Sequence, residues 1–167
     1  MKMRQLSLAA LIALAAAVPA QAAESPFYFR ALGGLMDPSA SGHDNSLNVG
    51  AGIGFRVFDE PTGSGALEAD ATTTLSKGKN GGGGDWNVDT VAVYFAYRTA
   101  GDVYFKAKGG FADQTVRGAT DTSFPDGSSL SGGIGGGVRV SRKAGVELEY
   151  TALDHVKFLS LAVYSHF

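Results

Sequence analysis

The sequence predicts an all-β fold: an eight-stranded antiparallel up-and-down transmembrane β-barrel preceded by a signal peptide. Three observations carry that expectation. The first 22 residues have the build of an export address. The rest of the chain alternates apolar and polar side chains with a period of two and shows no helical period. The connections between the alternating segments are short at one end and longer at the other, as in barrels that cross a membrane.

The export address comes first. Lys2 and Arg4 form a basic start, Leu6 to Val18 is a run dominated by Leu and Ala, and Pro19 precedes Ala20-Gln21-Ala22. A basic start, a short apolar centre and small residues before the cleavage point make a secretory signal. The run is too short and too rich in alanine to span a bilayer as a helix. Cleavage after Ala22 is expected, giving a signal peptide over 1–22 and a barrel domain over 23–167. The 167 residues include no cysteine, so disulfides and thiolate metal sites are excluded. The net charge of -2 comes with no basic stripe, and no nucleic-acid partner is expected. Glycine contributes 24 residues, well above the average share of about 7%.

Eight segments then follow in order. In Phe27–Gly34, Arg30 takes the polar face and sends Phe27, Phe29 and Ala31 to the apolar one. Ser46–Phe58 alternates most cleanly, with Leu47, Val49, Ala51, Ile53, Phe55 and Val57 opposite Asn48, three glycines and Arg56. In Ala66–Leu75 the apolar face carries Leu67, Ala69 and Ala71, and the other carries Glu68 and Asp70. Asn87–Arg98 sets Val91, Val93, Phe95 and Tyr97 against Thr90, Tyr94 and Arg98. Asp102–Ala112 sets Val103, Phe105 and Phe111 against Tyr104, Lys106 and Lys108. Leu130–Val140 sets Leu130, Ile134 and Val138 against glycines and Arg139. Gly145–Thr151 sets Val146, Leu148 and Tyr150 against Glu147 and Glu149. Val156–Phe167 sets Leu159, Leu161, Val163 and Phe167 against Ser160, Ala162, Tyr164 and His166.

The turns Asp59–Gly65, Thr99–Gly101 and Ser141–Ala144 are tight. The connections Leu35–Asn45, Ser76–Trp86 and Asp113–Ser129 are longer and polar, and only Ala152–His155 on that side is short. Periodicity alone also fits a soluble β-sandwich, in which the apolar faces would meet in one core. The small residues of the polar faces favour a crowded eight-strand interior instead. On that reading Phe27, Phe29, Phe55, Tyr97, Phe105 and Phe167 form one interfacial girdle, and Phe111 and Tyr150 belong to the opposite one.

An interior built from the polar faces holds Arg30, Arg56, Arg98, Lys106, Lys108 and Arg139 with Glu68, Asp70, Glu147 and Glu149. Charges out of water require partners. Symmetric closure of two hairpins sets Arg56 opposite Glu68 and Arg139 opposite Glu147, and these are the expected lumen ion pairs. Eight strands leave an interior that side chains just fill, so the cluster reads as a plug before it reads as an ion path.

Enzyme chemistry finds weaker footing. Ser165 and His166 are adjacent and face opposite sides of a strand. His43-Asp44 and Asp154-His155 sit in loops, and no His-x-Ser shares a strand face. The run Gly81–Gly84 lacks the Lys-Ser or Lys-Thr of a phosphate-binding loop. No catalytic residue, metal site or cofactor is expected.

The last two segments, Gly145-Val146-Glu147-Leu148-Glu149-Tyr150 and Leu159 to Phe167, carry a resemblance. With the signal and the alternation before them, they make the chain similar to the small eight-stranded outer-membrane barrels of Gram-negative bacteria, the OmpA/OmpX-type and opacity-protein-like group. That resemblance implies the cell outer membrane as location. It implies outer-membrane lipid and lipopolysaccharide as surroundings, a monomer, and Phe167 as an assembly signal read by the barrel-assembly machinery. Ser165 stands where that group usually has a tyrosine. The implied role is structural or surface interaction, meaning envelope integrity, adhesion or ligand contact through extracellular loops. A lipid-modifying enzyme and a narrow pore are the alternatives.

Overall fold

The computed structural model describes residues 25–38, 43–79, 84–117, 127–154 and 156–167. The expected signal peptide lies outside the described residues. Nine strands run in chain order: β1 (Phe27–Pro38), β2 (Ser46–Glu60), β3 (Gly63–Ser76), β4 (Gly78–Lys79), β5 (Asp85–Thr99), β6 (Val103–Arg117), β7 (Gly127–Arg139), β8 (Ala144–Leu153) and β9 (Val156–His166). Eight of them are long and each pairs antiparallel with its neighbours. β1 also pairs with β9, from Tyr28↔His166 to Pro38↔Val156, so the sheet closes on itself. β4 is a two-residue ribbon against the start of β5, outside the ring. No helix occurs among the described residues.

The outer and inner faces settle which solvent each meets. Phe105 is 78% exposed, Leu130 76% and Val103 75%, and every long strand shows large apolar side chains outward. Inside, Arg30 is 1% exposed and Glu147 0%. A sandwich in water would invert both faces. Apolar outside and charged inside is the arrangement of a closed sheet in lipid, where no strand edge can be left unpaired.

The turns at one end are tight for identifiable reasons. Pro61-Thr62 joins β2 to β3, with Glu60 opposite Gly63. Between β5 and β6, Gly101 has φ +110°, a backbone region that side chains with a Cβ rarely enter. At the other end, Asp154 closes β8 to β9 at φ 31°, which Asp tolerates better than most residues. The strands on that side run further than the alternation predicts. β1 continues to Pro38 and β5 starts at Asp85 because Met36 and Trp86 both turn into the interior and are fully buried there.

At the tight-turn end Phe27 lies 4.9 Å from Phe55 and 6.4 Å from Phe167, ring centroid to centroid. Phe58 adds contacts to Phe95 and Tyr97. Phe29 and Phe105 also face outward. Tyr150 is exposed near the long-connection end of β8. Phe111 sits nearer the middle of β6, between Val93 and Leu130, so it belongs to the aliphatic band and not to a second girdle.

Candidate functional site

The lumen is filled in three layers. In the middle, Arg30, Arg98, Lys106 and Lys108 meet Glu68, Asp70, Glu147 and Glu149, with as many cations as carboxylates. Their strands put them there by phase alone: β1 offers Arg30, β3 offers Glu68 and Asp70, β5 offers Arg98, β6 offers Lys106 and Lys108, and β8 offers Glu147 and Glu149. Lys106 Nζ is the hub, at 2.8 Å from Glu68, 3.0 Å from Glu147 and 2.9 Å from Glu149. An ammonium has three protons to give, and here three carboxylates surround it. Arg30 donates to Glu68 at 2.6 Å, to Asp70 at 2.8 Å and to Glu149. Arg98 donates through Nε to Glu147 at 2.6 Å and through Nη2 to Glu68 at 2.5 Å.

Two tyrosines complete the layer. Tyr28 Oη donates to Glu68 and Tyr104 Oη donates to Glu147, both at 2.8 Å. Each ring lies across a glycine of an adjoining strand, and a Cβ at Gly54 or Gly137 would fall on it. Tyr164 covers Gly145 in the same manner. The glycine-rich inner faces are thus the seats of large side chains.

The register corrects the expected pairings. Arg56 stands opposite Ala66, and Glu68 opposite Gly54. Arg139 stands opposite Gly145, and Glu147 opposite Gly137. In the first hairpin the two-residue turn and a bulge at Val57 shift the alignment by two residues. In the second, Ser141 gathers the turn: its Oγ accepts from the amides of Lys143 and Ala144, and its own amide donates to the Ala144 carbonyl. That centres the turn one residue earlier than symmetric closure assumes. Glu68 and Glu147 enter the middle layer. Arg56 and Arg139 lie lower, where Arg56 donates to Asp59 at 2.6 Å and Arg139 donates to the Gly101 carbonyl at 2.6 Å.

Towards the long connections the lumen becomes largely apolar, with Ser46, Asn48 and Gln114 buried alongside. Leu32, Met36, Trp86, Val88, Leu153, Val156 and Phe158 form one buried cluster inside the barrel. Trp86 Nε1 donates to the Asp44 carbonyl at 3.0 Å, so its polar edge is satisfied. Alternation does not assign this layer, because near that end the outward residues are polar (Asp85, Asn87, Asp89, Lys157) and the apolar ones turn inward, the reverse of the mid-barrel phase. Between the apolar and ionic layers a cavity of about 20 Å³ remains, and about 60 Å³ lies below the ionic layer.

Ser165 and His166 take separate partners. His166 Nδ1 lies 3.3 Å from Arg56 Nη2 and from the Ser25 carbonyl, and the Ser165 hydroxyl is directed to the His166 carbonyl. No metal-holding group of His and acidic residues occurs among the described residues. His155 and Gly81–Gly83 lie outside them.

The profile of the outer membrane protein beta-barrel domain family matches residues 6–158. The chain belongs to that family. This member is a protein of the cell outer membrane, embedded in its lipid. Solved structures show the same fold at low identity. Neisserial surface protein A superposes with a TM-score of 0.62 at 15% identity, over 87% of this chain and 100% of that one. The outer membrane enzyme PagL gives 0.60 at 16% identity, over 84% and 99%. Ail, the attachment invasion locus protein of Yersinia pestis, gives 0.52 at 13% identity, over 87% and 99%. A search of curated proteins finds no significant match.

Proposed function

We propose that this outer-membrane barrel has a structural and surface-contact role, exerted through the connections at its long-loop end. The observation that carries the reading is the filled lumen. A neutral, hydrogen-bonded ionic layer and an apolar layer above it occupy the interior of the barrel. Eight strands leave no width beyond what side chains fill, which disfavours a pore. An attachment protein among the fold's solved structures accords with contact through loops, and an enzyme among them makes lipid modification the reading to be tested against. Ser165 and His166 point to different partners, which disfavours hydrolysis by that pair.

The proposed export by a signal peptide over 1–22, assembly through Phe167 and a monomeric barrel over 23–167 belong to the same reading. The test compares a deletion strain with one carrying the protein. Unchanged lipid A acylation by mass spectrometry is expected, together with a difference in detergent sensitivity or cell attachment. Replacing the connections that contain 80–83 and 118–126 with short Gly-Ser turns should abolish that difference. A change in acylation that follows the gene would favour the enzyme.

A further inference from the structure

We propose that the tight-turn mouth of the lumen is a binding site for a phosphoryl group. The cavity of about 60 Å³ there is lined by Arg56, Arg98, Arg139, Arg142, Tyr164 and His166, with Tyr28, Ser64 and Ala66 between them. Four guanidinium groups converge on one small space, and among the described residues no carboxylate lines it. Arg98 is held by Glu68 and Glu147 of the layer above and Arg56 by Asp59 at the rim, while Arg139 and Arg142 meet no carboxylate among the described residues. Guanidinium groups gathered at this mouth without a matching number of carboxylates repel one another, and an anion bound among them relieves that repulsion.

The arginines are also held in place. Arg98 lies over the rings of Tyr28 and Tyr164, at 5.3 and 5.4 Å from their centroids. Arg139 lies 5.2 Å over Tyr104 and is tied to the Gly101 carbonyl. Arg56 is anchored from the rim by Asp59, whose side chain is 56% exposed. Arg142 is the exposed member, set on the turn that Ser141 organises. Fixed planar guanidinium groups suit the forked oxygens of phosphate better than a spherical halide. The volume holds roughly four water-sized groups, the scale of one phosphoryl head.

Tight turns face the periplasm in barrels of this kind. The mouth is level with the aromatic cluster of Phe27, Phe55 and Phe167, where headgroups begin. The phosphoryl group can therefore come from an inner-leaflet phospholipid or from a soluble phosphate ester, and the chemistry that recognises it is the same.

The test uses the full barrel folded in a phosphate-free glucoside detergent. Inorganic phosphate and short-chain dihexanoyl phosphatidic acid are titrated separately by calorimetry, with chloride holding the ionic strength constant. Saturable one-site binding of either ligand is expected. Saturation by inorganic phosphate assigns a soluble source, and saturation by the lipid alone assigns a headgroup. Arg142→Ala should weaken binding about tenfold, the loss of one charge-assisted contact, and Arg139→Ala should do the same. Arg142→Lys should restore part of it, and Lys157→Ala, on the long-loop side, should leave it unchanged. Because Arg142 is exposed on a turn, its variants fold by the same route as the parent, which heat-shifted gel mobility verifies. Non-saturable uptake of both ligands, or equal affinity in Arg142→Ala and the parent, would overturn the proposal.

Discussion

The middle and the long-loop end of this lumen solve one problem in two ways. Both must fill a narrow tube whose walls face lipid. The middle fills it with opposite charges around Lys106, from a single ionic partner at Asp70 and at Lys108 to three at Glu68 and at Lys106. The upper end fills it with Trp86, Met36, Val88 and Phe158, as a water-soluble protein fills a core. The difference teaches that an inside-out barrel is not polar throughout. Charge occupies the depth where strands are surrounded by hydrocarbon. Apolar side chains occupy the end where, in soluble proteins, loops would lie over water.

The contrast predicts unequal responses to substitution, read as the heat needed to unfold the barrel on a gel. Lys106→Ala should have the largest effect. It leaves Glu68, Glu147 and Glu149 facing one another, and removing one partner from a buried ion network costs about 3 to 5 kcal/mol. A smaller loss, matching the parent within error, would mean that water enters the layer freely. Trp86→Ala comes next, at about 3 kcal/mol, as expected for an aromatic group deleted from a packed core. Equal stability with and without the Trp86 ring would show that the apolar layer does not pack. Gly54→Ala should cost about 1 to 3 kcal/mol, because the added methyl displaces the Tyr28 ring and its bond to Glu68. Pairing it with Tyr28→Phe should give less than the sum of the two losses, and strict additivity would separate glycine from tyrosine. The smallest effect belongs to Arg117→Ala. Its 2.9 Å bond to Asp89 is largely exposed at the long-loop end, where such pairs contribute about 1 kcal/mol or less. A loss comparable to that of Lys106→Ala would erase the distinction between inner and outer charges.

How much of this was legible in the sequence follows the same division. The outward faces were readable because Ile53, Val93 or Leu161 alternates strictly with small or polar neighbours. The members of the ionic layer were readable by phase, since Arg30, Glu68, Lys106 and Glu147 each interrupt an otherwise apolar or small-residue segment. Their partners were not. Counting outward from turn centres assumes regular turns, and the two-residue turn with the bulge at Val57 in one hairpin, and the Ser141 turn in the other, each displace the alignment by two residues. Parity survives a shift of two, so Arg56 and Arg139 still face the lumen while losing the expected carboxylates. The apolar layer was hidden for another reason. Met36, Trp86 and Val156 stand in segments rich in polar turn residues, so strands there resemble loops until the ring closes around them. The tyrosine hydroxyls share the phase of the charges and were within reach of the same parity argument: Tyr28 precedes Arg30 by two residues, and Tyr104 precedes Lys106 by two.

The central claim is that the ionic and apolar layers together seal the lumen. Planar-bilayer recording of the folded barrel tests it most directly. The account predicts no steady conductance in salt at neutral pH, for the parent and for the exposed-pair variant Arg117→Ala alike. A steady current that scales with salt concentration in the parent would contradict it.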